Sequence, residues 1–216
     1  MSTYAITKQA APVYSTPEPQ EKKLEFIAFP STKFQILGKI GPHATQVTTK
    51  DYFSPGPLFV DDRFLTPASL ETPDRPRALP EAKKIIDFML SKVGTRYLWG
   101  GNWATGIEEM KAFYPHLPLT DDLLCKGIDC SGLLYQATNG FTPRNTSELC
   151  SFGDEIRFED VRPLDMFVWK GHVVFVLDED HTIESLGGKG VIISPLEKRH
   201  SECAQNKQMT IRRWIS

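Results

Sequence analysis

Cys130 and His172 are the residues whose types and positions point to chemistry. Cys130 lies in the sequence GIDCSG at 127–132, where a glycine-bounded loop changes into an apolar, helix-like stretch. A sulfur at the start of a helix lies near the positive end of the helix dipole and near free N–H groups, which favour thiolate over thiol. His172 opens a strand-like run at 172–177, and an imidazole there could take the thiol proton and return it to a leaving group. The pairing predicts a cysteine nucleophile with a histidine base, and therefore acyl-transfer chemistry such as peptide hydrolysis.

The other cysteines do not indicate a metal site or a disulfide framework. Cys125, Cys150 and Cys203 are scattered along the chain. Cys125 and Cys130 are spaced more widely than the two cysteines of a small zinc site, and no second cysteine or histidine pair has the required spacing. We expect no metal and no cofactor, and we interpret Cys150 and Cys203 as small core residues.

Helices and strands after residue 80 must position the pair. Apolar residues recur at helical spacing before Gly94, namely Ala82, Ile85, Ile86, Met89, Leu90 and Val93. A second helix is predicted at 131–138, with Asp129 as its N-cap and Gly140 at its end. The polar stretch 102–126 has no clear period and is interpreted as an insertion over the surface. Strand-like patterns follow at 166–169, 172–177, 182–186, 191–194 and 209–215. Helices followed by an antiparallel sheet indicate an α+β fold.

The chain before residue 80 has a different character. Short β-type runs at 11–14, 24–29, 33–38 and 45–49 are separated by turn residues, which predicts a small all-β barrel over residues 1–66. Residues 67–79 are rich in proline and are interpreted as a semi-rigid linker. A second domain is then predicted over residues 80–216.

Composition excludes some classes of partner. The formal net charge of −2 gives no long-range field directed at nucleic acid or an acidic membrane. No stretch approaches the roughly 20 apolar residues of a membrane-spanning helix. The N-terminal residues lack the basic start and apolar core of a secretory signal, so we expect a cytoplasmic protein. A periplasmic or cell-wall location stays open if a signal was removed or another export route is used.

Four segments after residue 80 together resemble the NlpC/P60 cysteine peptidases, which cut peptidoglycan stem peptides. The segments are GTRYLWGG at 94–101, DCSGL at 129–133, PRNTS at 143–147, and PLDMFV at 163–168 with His172 and Val173. The resemblance implies a papain-like α+β domain. The N-terminal region is more loosely similar to a bacterial SH3-type barrel, through PVY at 12–14 and GPLFVDDRFL at 56–65.

The third catalytic position of the family is usually a histidine, and this chain departs from the family there. Glu184 stands twelve residues after His172, at the family's spacing. If the hairpin turn centres near Asp178, residues 172 and 184 lie opposite each other, and a carboxylate there could orient the imidazole and stabilise its charged form. His181 is the rival, but it would lie well along the hairpin from His172. We prefer Glu184.

The resemblance also implies roles around the nucleophile. It places Tyr97 beside Cys130, where its phenol could donate to an oxyanion together with the Cys130 backbone N–H. It assigns contacts with substrate to Asp129 and Ser131, and it suggests recognition of substrate carboxylate or amine groups by Arg144, Asn145 and Thr146. The purely structural alternatives are a helix cap for Asp129, a core aromatic for Tyr97, and turn chemistry for residues 144–146. Asn145 stands where relatives often have aspartate, which weakens recognition of a free amino terminus.

The function implied by the resemblance is hydrolysis of the γ-D-glutamyl–diamino-acid bond by Cys130, His172 and Glu184. The partner would be peptidoglycan or a muropeptide, bound by a protein that we expect to be a monomer. Two alternatives remain open at this point. One is a muropeptide-binding module with weak or lost catalysis, motivated by the third position. The other is an acyltransferase on the same scaffold.

Overall fold

The described residues of the computed structural model, 3–20 and 22–215, pack into two units. The first unit holds the described residues up to Pro76 together with Leu98–Gly127. The second unit holds Arg77–Tyr97 and the described residues from Ile128 onward. The domain boundaries at 66 and 80 stay a prediction. Met1, Ser2, Glu21 and Ser216, which the predicted domains include, lie outside the described residues.

One antiparallel sheet dominates the first unit, as the alternating runs predict. Its strands are β1 (Tyr4–Thr7), β2 (Ala11–Tyr14), β3 (Leu24–Ala28), β4 (Lys33–Ile40), β5 (Ala44–Thr48), β6 (Leu58–Asp61) and β7 (Leu65–Ala68). Their order across the sheet is β3-β2-β6-β5-β4-β1-β7. The four predicted strands are confirmed, whereas the SH3-type barrel stays a prediction.

The proline-rich stretch after β7 is held against this unit as far as Pro76. The ammonium of Lys33 donates to the carbonyl oxygens of Leu70 and Thr72 at 2.6 and 2.5 Å. Arg75 is buried and pairs with Asp51 at 2.9 Å. A buried charge needs such a partner, so this contact ties the end of the stretch to the unit.

The surface insertion predicted for residues 102–126 is wrong. This segment forms the short strand β8 (Asn102–Trp103) and the helix α2 (Glu109–Phe113). Its apolar side chains join the core of the first unit; among them are Ile107, Met110 and Leu123. These apolar residues are spaced irregularly in the sequence, so no periodicity predicts their burial. Burial of each one stabilises the fold by about 2 kcal/mol.

The second unit has the predicted α+β architecture. Its helices are α1 (Ala82–Leu90), α3 (Cys130–Ala137), α4 (Thr146–Leu149) and α5 (Leu196–Cys203), and the two-residue strand β9 (Gly127–Ile128) precedes α3. Its antiparallel strands are β10 (Asp154–Glu155), β11 (Met166–Trp169), β12 (His172–Val176), β13 (His181–Leu186), β14 (Gly190–Pro195) and β15 (Thr210–Arg213). They pair in the order β10-β15-β11-β12-β13-β14. Helix α3 packs against α1, β12 and β13, which brings the start of α3 to the centre of the sheet.

Helix α1 is shorter and less buried than its pattern predicts. Ile85 and Met89 are its buried residues. Leu90 and Val93 are 40% and 48% exposed, and the α-helical part ends at Leu90 rather than near Gly94. Tighter turns follow, with the N–H groups of Lys92 and Val93 donating to carbonyl groups three residues earlier. The apolar stripe therefore runs past the end of the helix.

Helix α5 has no counterpart among the predicted elements. Its sequence is LEKRHSEC, and only Leu196 and Cys203 are buried. A helix that is mostly polar gives a weak periodic signal. The sequence signal for α5 is its pair of apolar residues seven positions apart, directly after Pro195.

No residues of the described structure form a helix long and apolar enough to cross a membrane.

Leu164 occupies a backbone conformation that favours glycine. Its φ is 73°, in the left-handed region that a residue with a side chain rarely adopts. Its side chain is 1% exposed, so burial offsets the strain of the left-handed backbone. The Leu164 N–H donates to the carbonyl of Val176 at 2.8 Å, which connects this turn to β12.

Two substitutions separate strain from burial at Leu164. We expect Leu164→Ala to lower the free energy of unfolding by about 3 kcal/mol, because it removes buried carbon and keeps the strain. Leu164→Gly should cost about 1 kcal/mol less, because glycine relieves the strain. Urea unfolding of both variants measures this order, and a more stable alanine variant would contradict it.

Candidate active site

Cys130 is the first residue of α3, and the predicted cap holds it there. The Asp129 carboxylate accepts a hydrogen bond from the Gly132 N–H at 2.7 Å. The backbone N–H groups of Val173 and Ser131 donate to the Cys130 sulfur. Because Val173 directly follows His172, the sulfur lies against the strand end that carries the imidazole. The structure therefore brings the first two predicted residues into one site.

The ionisation of Cys130 differs from the sequence expectation. Burial is the largest influence and raises the pKa of the thiol to about 12, and the nearby Asp129 carboxylate raises it further. Arg144 and the two N–H groups act in the opposite direction and do not outweigh burial. The expected thiolate at the helix start is thus wrong for the free protein, because Cys130 is only 5% exposed. The thiol holds its proton until a base removes it.

His172 is bound to Glu184. Its Nε2 atom lies 2.6 Å from Glu184 Oε2. The predicted register was wrong, because Phe175 pairs with Ile183. If this pairing continues by one residue, Glu184 lies opposite Val174 rather than opposite His172. The contact between His172 and Glu184 therefore runs diagonally across the hairpin. Diagonal positions on one face are within reach of long side chains.

His181, the rival third residue, lies elsewhere. It is exposed at the start of β13, and its Nδ1 lies 2.9 Å from Asp178 Oδ1. That contact closes the turn between β12 and β13. The structure therefore brings Glu184, and not His181, to the imidazole of His172.

Glu184 also binds Arg199 of α5, which the sequence analysis missed. The Nε and Nη2 atoms of Arg199 donate to the two carboxylate oxygens at 2.5 and 2.7 Å. Burial raises the pKa of Glu184, but the hydrogen bonds and charge of His172 and Arg199 outweigh burial, and the net pKa is lowered. An ionised Glu184 can only accept, so the Nε2 of His172 carries the hydrogen. Its Nδ1 is then left with a lone pair for the thiol proton.

Tyr97 lies near Cys130, as the resemblance implies. Its segment is fixed on both sides: the Thr95 carbonyl accepts from Val191 N–H at 2.8 Å, and the Arg96 carbonyl accepts from Ile128 N–H at 3.1 Å. Burial, followed by the proximity of Cys130 and Asp129, raises the pKa of the phenol well above its usual value. Tyr97 therefore keeps its proton and can donate a hydrogen bond.

Gly190 permits the close approach of this segment. Its φ is +76°, and a Cβ at this position would lie 2.2 Å from the Thr95 carbonyl oxygen. Any side chain there would displace the segment that carries Tyr97. The glycine is thus a positioning element for the site.

Arg144, Asp129 and Ser131 form a buried cluster at the start of α3. Arg144 donates to both oxygens of Asp129, at 3.0 and 2.6 Å, and to Ser131 Oγ at 2.9 Å. The Arg144 side chain is 2% exposed. This geometry favours the structural alternative, in which Arg144 holds the cap of α3. The predicted contacts of these three residues with substrate stay a prediction.

Thr146 holds the turn that precedes His172. Its Oγ1 accepts a hydrogen bond from the Gly171 N–H at 2.9 Å. Asn145 lies next to it at the N-cap position of α4. The predicted recognition of substrate by Asn145 and Thr146 stays a prediction, whereas the contact between Thr146 and Gly171 is a positioning contact.

Removal of the Thr146 hydroxyl should make the position of the His172 imidazole less fixed without unfolding the protein. We expect Thr146→Val to lower kcat for peptide cleavage about fivefold, the equivalent of one hydrogen bond of about 1 kcal/mol. Thr146→Ser keeps the hydroxyl and should retain activity. Equal kinetics for the valine and serine variants would show that this contact does not position His172.

Trp169 is a second residue that the sequence analysis missed in this role. It pairs with His172 across the β11–β12 hairpin, and the ring centroids lie 5.2 Å apart. The two-residue turn between them could have revealed this pairing, since a short hairpin sets its end residues opposite each other. Trp169 limits the space in which the imidazole can rotate.

One group of described residues has the composition of a metal site, and it lies in the first unit. The candidate ligand atoms of His43, Asp61 and Asp62 lie within 4.8 Å of one another. The carboxylates already bind cations, with Asp61 at 2.6 Å from Arg63 and Asp62 at 2.6 Å from Lys39. A metal ion would have to displace both cations.

Solved structures similar to this chain include an NlpC/P60 family protein from Bacillus cereus, at 17% identity and a TM-score of 0.47. The match covers 100% of this chain and 64% of that protein, so the chain spans less than two thirds of its length. RipD of Mycobacterium tuberculosis, described as a non-catalytic domain adapted to peptidoglycan binding, matches at 20% identity and a TM-score of 0.45, over 62% of this chain and 97% of RipD. The peptidoglycan hydrolase RipB of the same organism matches at 22% identity and 0.45, over 69% of this chain and 75% of RipB.

No curated protein sequence gives a significant match to this chain. The NlpC/P60 family model matches residues 94–213, which is more than half of the 216 residues. The matched range contains Cys130, His172 and Glu184. The chain therefore belongs to the NlpC/P60 family.

Proposed function

We propose that this chain is a cysteine endopeptidase that hydrolyses peptidoglycan stem peptides at the γ-D-glutamyl–diamino-acid bond. Membership of the family supports peptidoglycan hydrolysis or binding. The observation that favours hydrolysis is the 2.6 Å contact between His172 Nε2 and Glu184, at the strand end that touches the Cys130 sulfur. A domain that only binds peptide has no need of an imidazole held by a buried carboxylate at the strand end that contacts a thiol.

The first half of the reaction forms a thioester. As the Cys130 sulfur attacks the scissile carbonyl carbon, its proton passes to Nδ1 of His172, and Glu184 stabilises the resulting imidazolium. The imidazolium then protonates the departing amine, and the C–N bond breaks. Because burial raises the pKa of the thiol, the sulfur needs the imidazole as a proton acceptor at neutral pH.

The second half releases the acyl group. His172 takes a proton from water, the hydroxide adds to the thioester carbonyl, and the C–S bond breaks as the sulfur regains a proton. In both halves the carbonyl oxygen gains negative charge. The Tyr97 phenol and the backbone N–H of Cys130 are the donors that we assign to this oxygen.

A binding module without catalysis is the second candidate. The burial of the Cys130 sulfur, which raises its pKa to about 12, favours it. RipD, a similar structure, is described as non-catalytic and adapted to peptidoglycan binding. The two candidates share a ligand and differ in whether a bond is cut.

Product analysis decides between the candidates. The protein is incubated with purified sacculi and, separately, with a free diaminopimelate-containing tripeptide, and the fragments are resolved by mass. Hydrolysis predicts a new free amino group on the diamino acid, and comparison of the two substrates distinguishes intact wall from recycled peptide. Retention on sacculi with no new fragment from either substrate would support the binding module and refute hydrolysis.

A further inference from the structure

We infer that Arg199 is a positioning residue that keeps the buried Glu184 carboxylate charged and aimed at His172. The inference rests on the proposed function, and it adds a fourth member to the Cys130–His172–Glu184 series. Arg199 lies on α5, outside the four segments that carry the family resemblance. Nothing in its surrounding sequence marks it as part of a site.

The geometry is that of a two-point clamp. Arg199 donates from two nitrogen atoms to the two oxygens of Glu184, at 2.5 and 2.7 Å. Glu184 Oε2 simultaneously contacts His172 Nε2 at 2.6 Å. A planar guanidinium bound to both oxygens fixes the plane of the carboxylate, and this plane sets the direction of the contact with His172.

Burial explains why this chain needs the clamp. The Glu184 side chain is 1% exposed, and a carboxylate in such a place would be neutral without a partner. A histidine at the third position carries no such penalty because it can be neutral. A glutamate at this position therefore needs a cation beside it, and Arg199 of α5 is that cation.

Two further titratable groups of α5 lie at the contact between Arg199 and Glu184. On α5, the Arg199 guanidinium also binds Glu202 at 3.0 Å, and the Cys203 thiol lies near both Arg199 and Glu184. Burial raises the pKa of Cys203 to about 11, so this thiol is neutral at physiological pH. On β12, His172 is the group that faces Glu184.

Removing Arg199 should therefore shift the acidic limb of activity upward in pH. If Glu184 stays charged, its unshielded charge favours the imidazolium form of His172, which cannot accept the thiol proton. If Glu184 becomes neutral instead, it no longer holds the hydrogen of His172 on Nε2, and the base is lost until Glu184 ionises at higher pH. Loss of a cation at this distance corresponds to a shift of about one pH unit, or about tenfold in kcat/KM below the limb.

The experiment measures two pH profiles on the full chain. One is kcat/KM for muropeptide cleavage, and the other is the rate at which iodoacetamide alkylates Cys130, followed by peptide mass. The variants are Arg199→Ala, Arg199→Lys, which keeps the charge but not the two-point geometry, and Lys198→Ala. Lys198 is exposed on the same helix, so its variant removes the same charge away from the site.

The inference predicts an upward shift of about one unit in Arg199→Ala, a smaller shift in Arg199→Lys, and none in Lys198→Ala. Unshifted profiles in a folded Arg199→Ala protein would overturn it, as would an equal shift in Lys198→Ala. If Arg199→Ala does not fold, an unshifted Arg199→Lys profile overturns it. Because alkylation needs no muropeptide, a shift in that profile without cleavage by the wild type would refute the proposed function and leave the positioning role of Arg199 standing.

Discussion

Replacement of Cys130 by alanine is expected to lower kcat for muropeptide cleavage by about 10⁴-fold or more, since it removes the atom that forms the thioester. The variant should fold, because the neighbouring Asp129 cap and the contacts of α3 with the sheet are unchanged. Cleavage is measured by product mass under single-turnover conditions.

Cys130→Ser tests whether the sulfur itself is needed. Serine could still accept hydrogen bonds from the N–H groups of Val173 and Ser131, but its hydroxyl is a weaker nucleophile beside an imidazole arranged for a thiol. We expect a loss close to that of alanine. Cys150→Ala, at a partly exposed cysteine of the same unit, should keep full activity. Residual cleavage by Cys130→Ala equal to that of the wild type would contradict the account.

Glu184→Gln is expected to lower kcat by about 10²- to 10³-fold. Glutamine cannot stabilise the imidazolium by charge, and its amide NH₂ can present a donor to Nε2, which would favour the tautomer with hydrogen on Nδ1. The variant also leaves the Arg199 guanidinium without its buried partner. Breaking such a pair costs about 3 kcal/mol of unfolding free energy.

The pH dependence of stability gives a second measurement on Glu184→Gln. The pKa of Glu184 is lowered in the folded state, so its ionic contribution is present above the ordinary glutamate pKa and is lost as the pH falls through the folded value. Urea unfolding should therefore show the largest gap between wild type and Glu184→Gln at neutral pH, closing below about pH 4. A normal kcat in a stable Glu184→Gln protein would show that Glu184 has no part in the mechanism. A difference in unfolding free energy that does not change with pH would show that the charge of Glu184 does not stabilise the fold.

Local signals in the sequence were sufficient for the elements that carry the nucleophile and the base. The Asp129 cap, the helix after Cys130 and the strand that begins at His172 follow from residue types within a few positions. The contact between His172 and Glu184 also forms, although through a register different from the one predicted. A side chain as long as glutamate tolerates that error, whereas a shorter one would not.

Contacts and burial that depend on segments distant in the sequence could not be predicted. Arg199 lies on a polar helix with two buried residues, so neither the helix nor its contact with Glu184 has a strong local signal. The burial of the Cys130 sulfur comes from packing around it, and it reverses the direction of the pKa shift expected at a helix start. The buried residues of 102–126 were missed for the same reason, since their pattern is irregular.

The central claim is that the His172 imidazole activates the Cys130 thiol, and the pH dependence of Cys130 alkylation in wild type and His172→Ala tests it most directly. In the wild type we expect alkylation to proceed already at neutral pH, because the imidazole accepts the thiol proton. In His172→Ala we expect alkylation only at alkaline pH, where the buried thiol ionises unaided. Identical profiles for the two proteins would contradict the account.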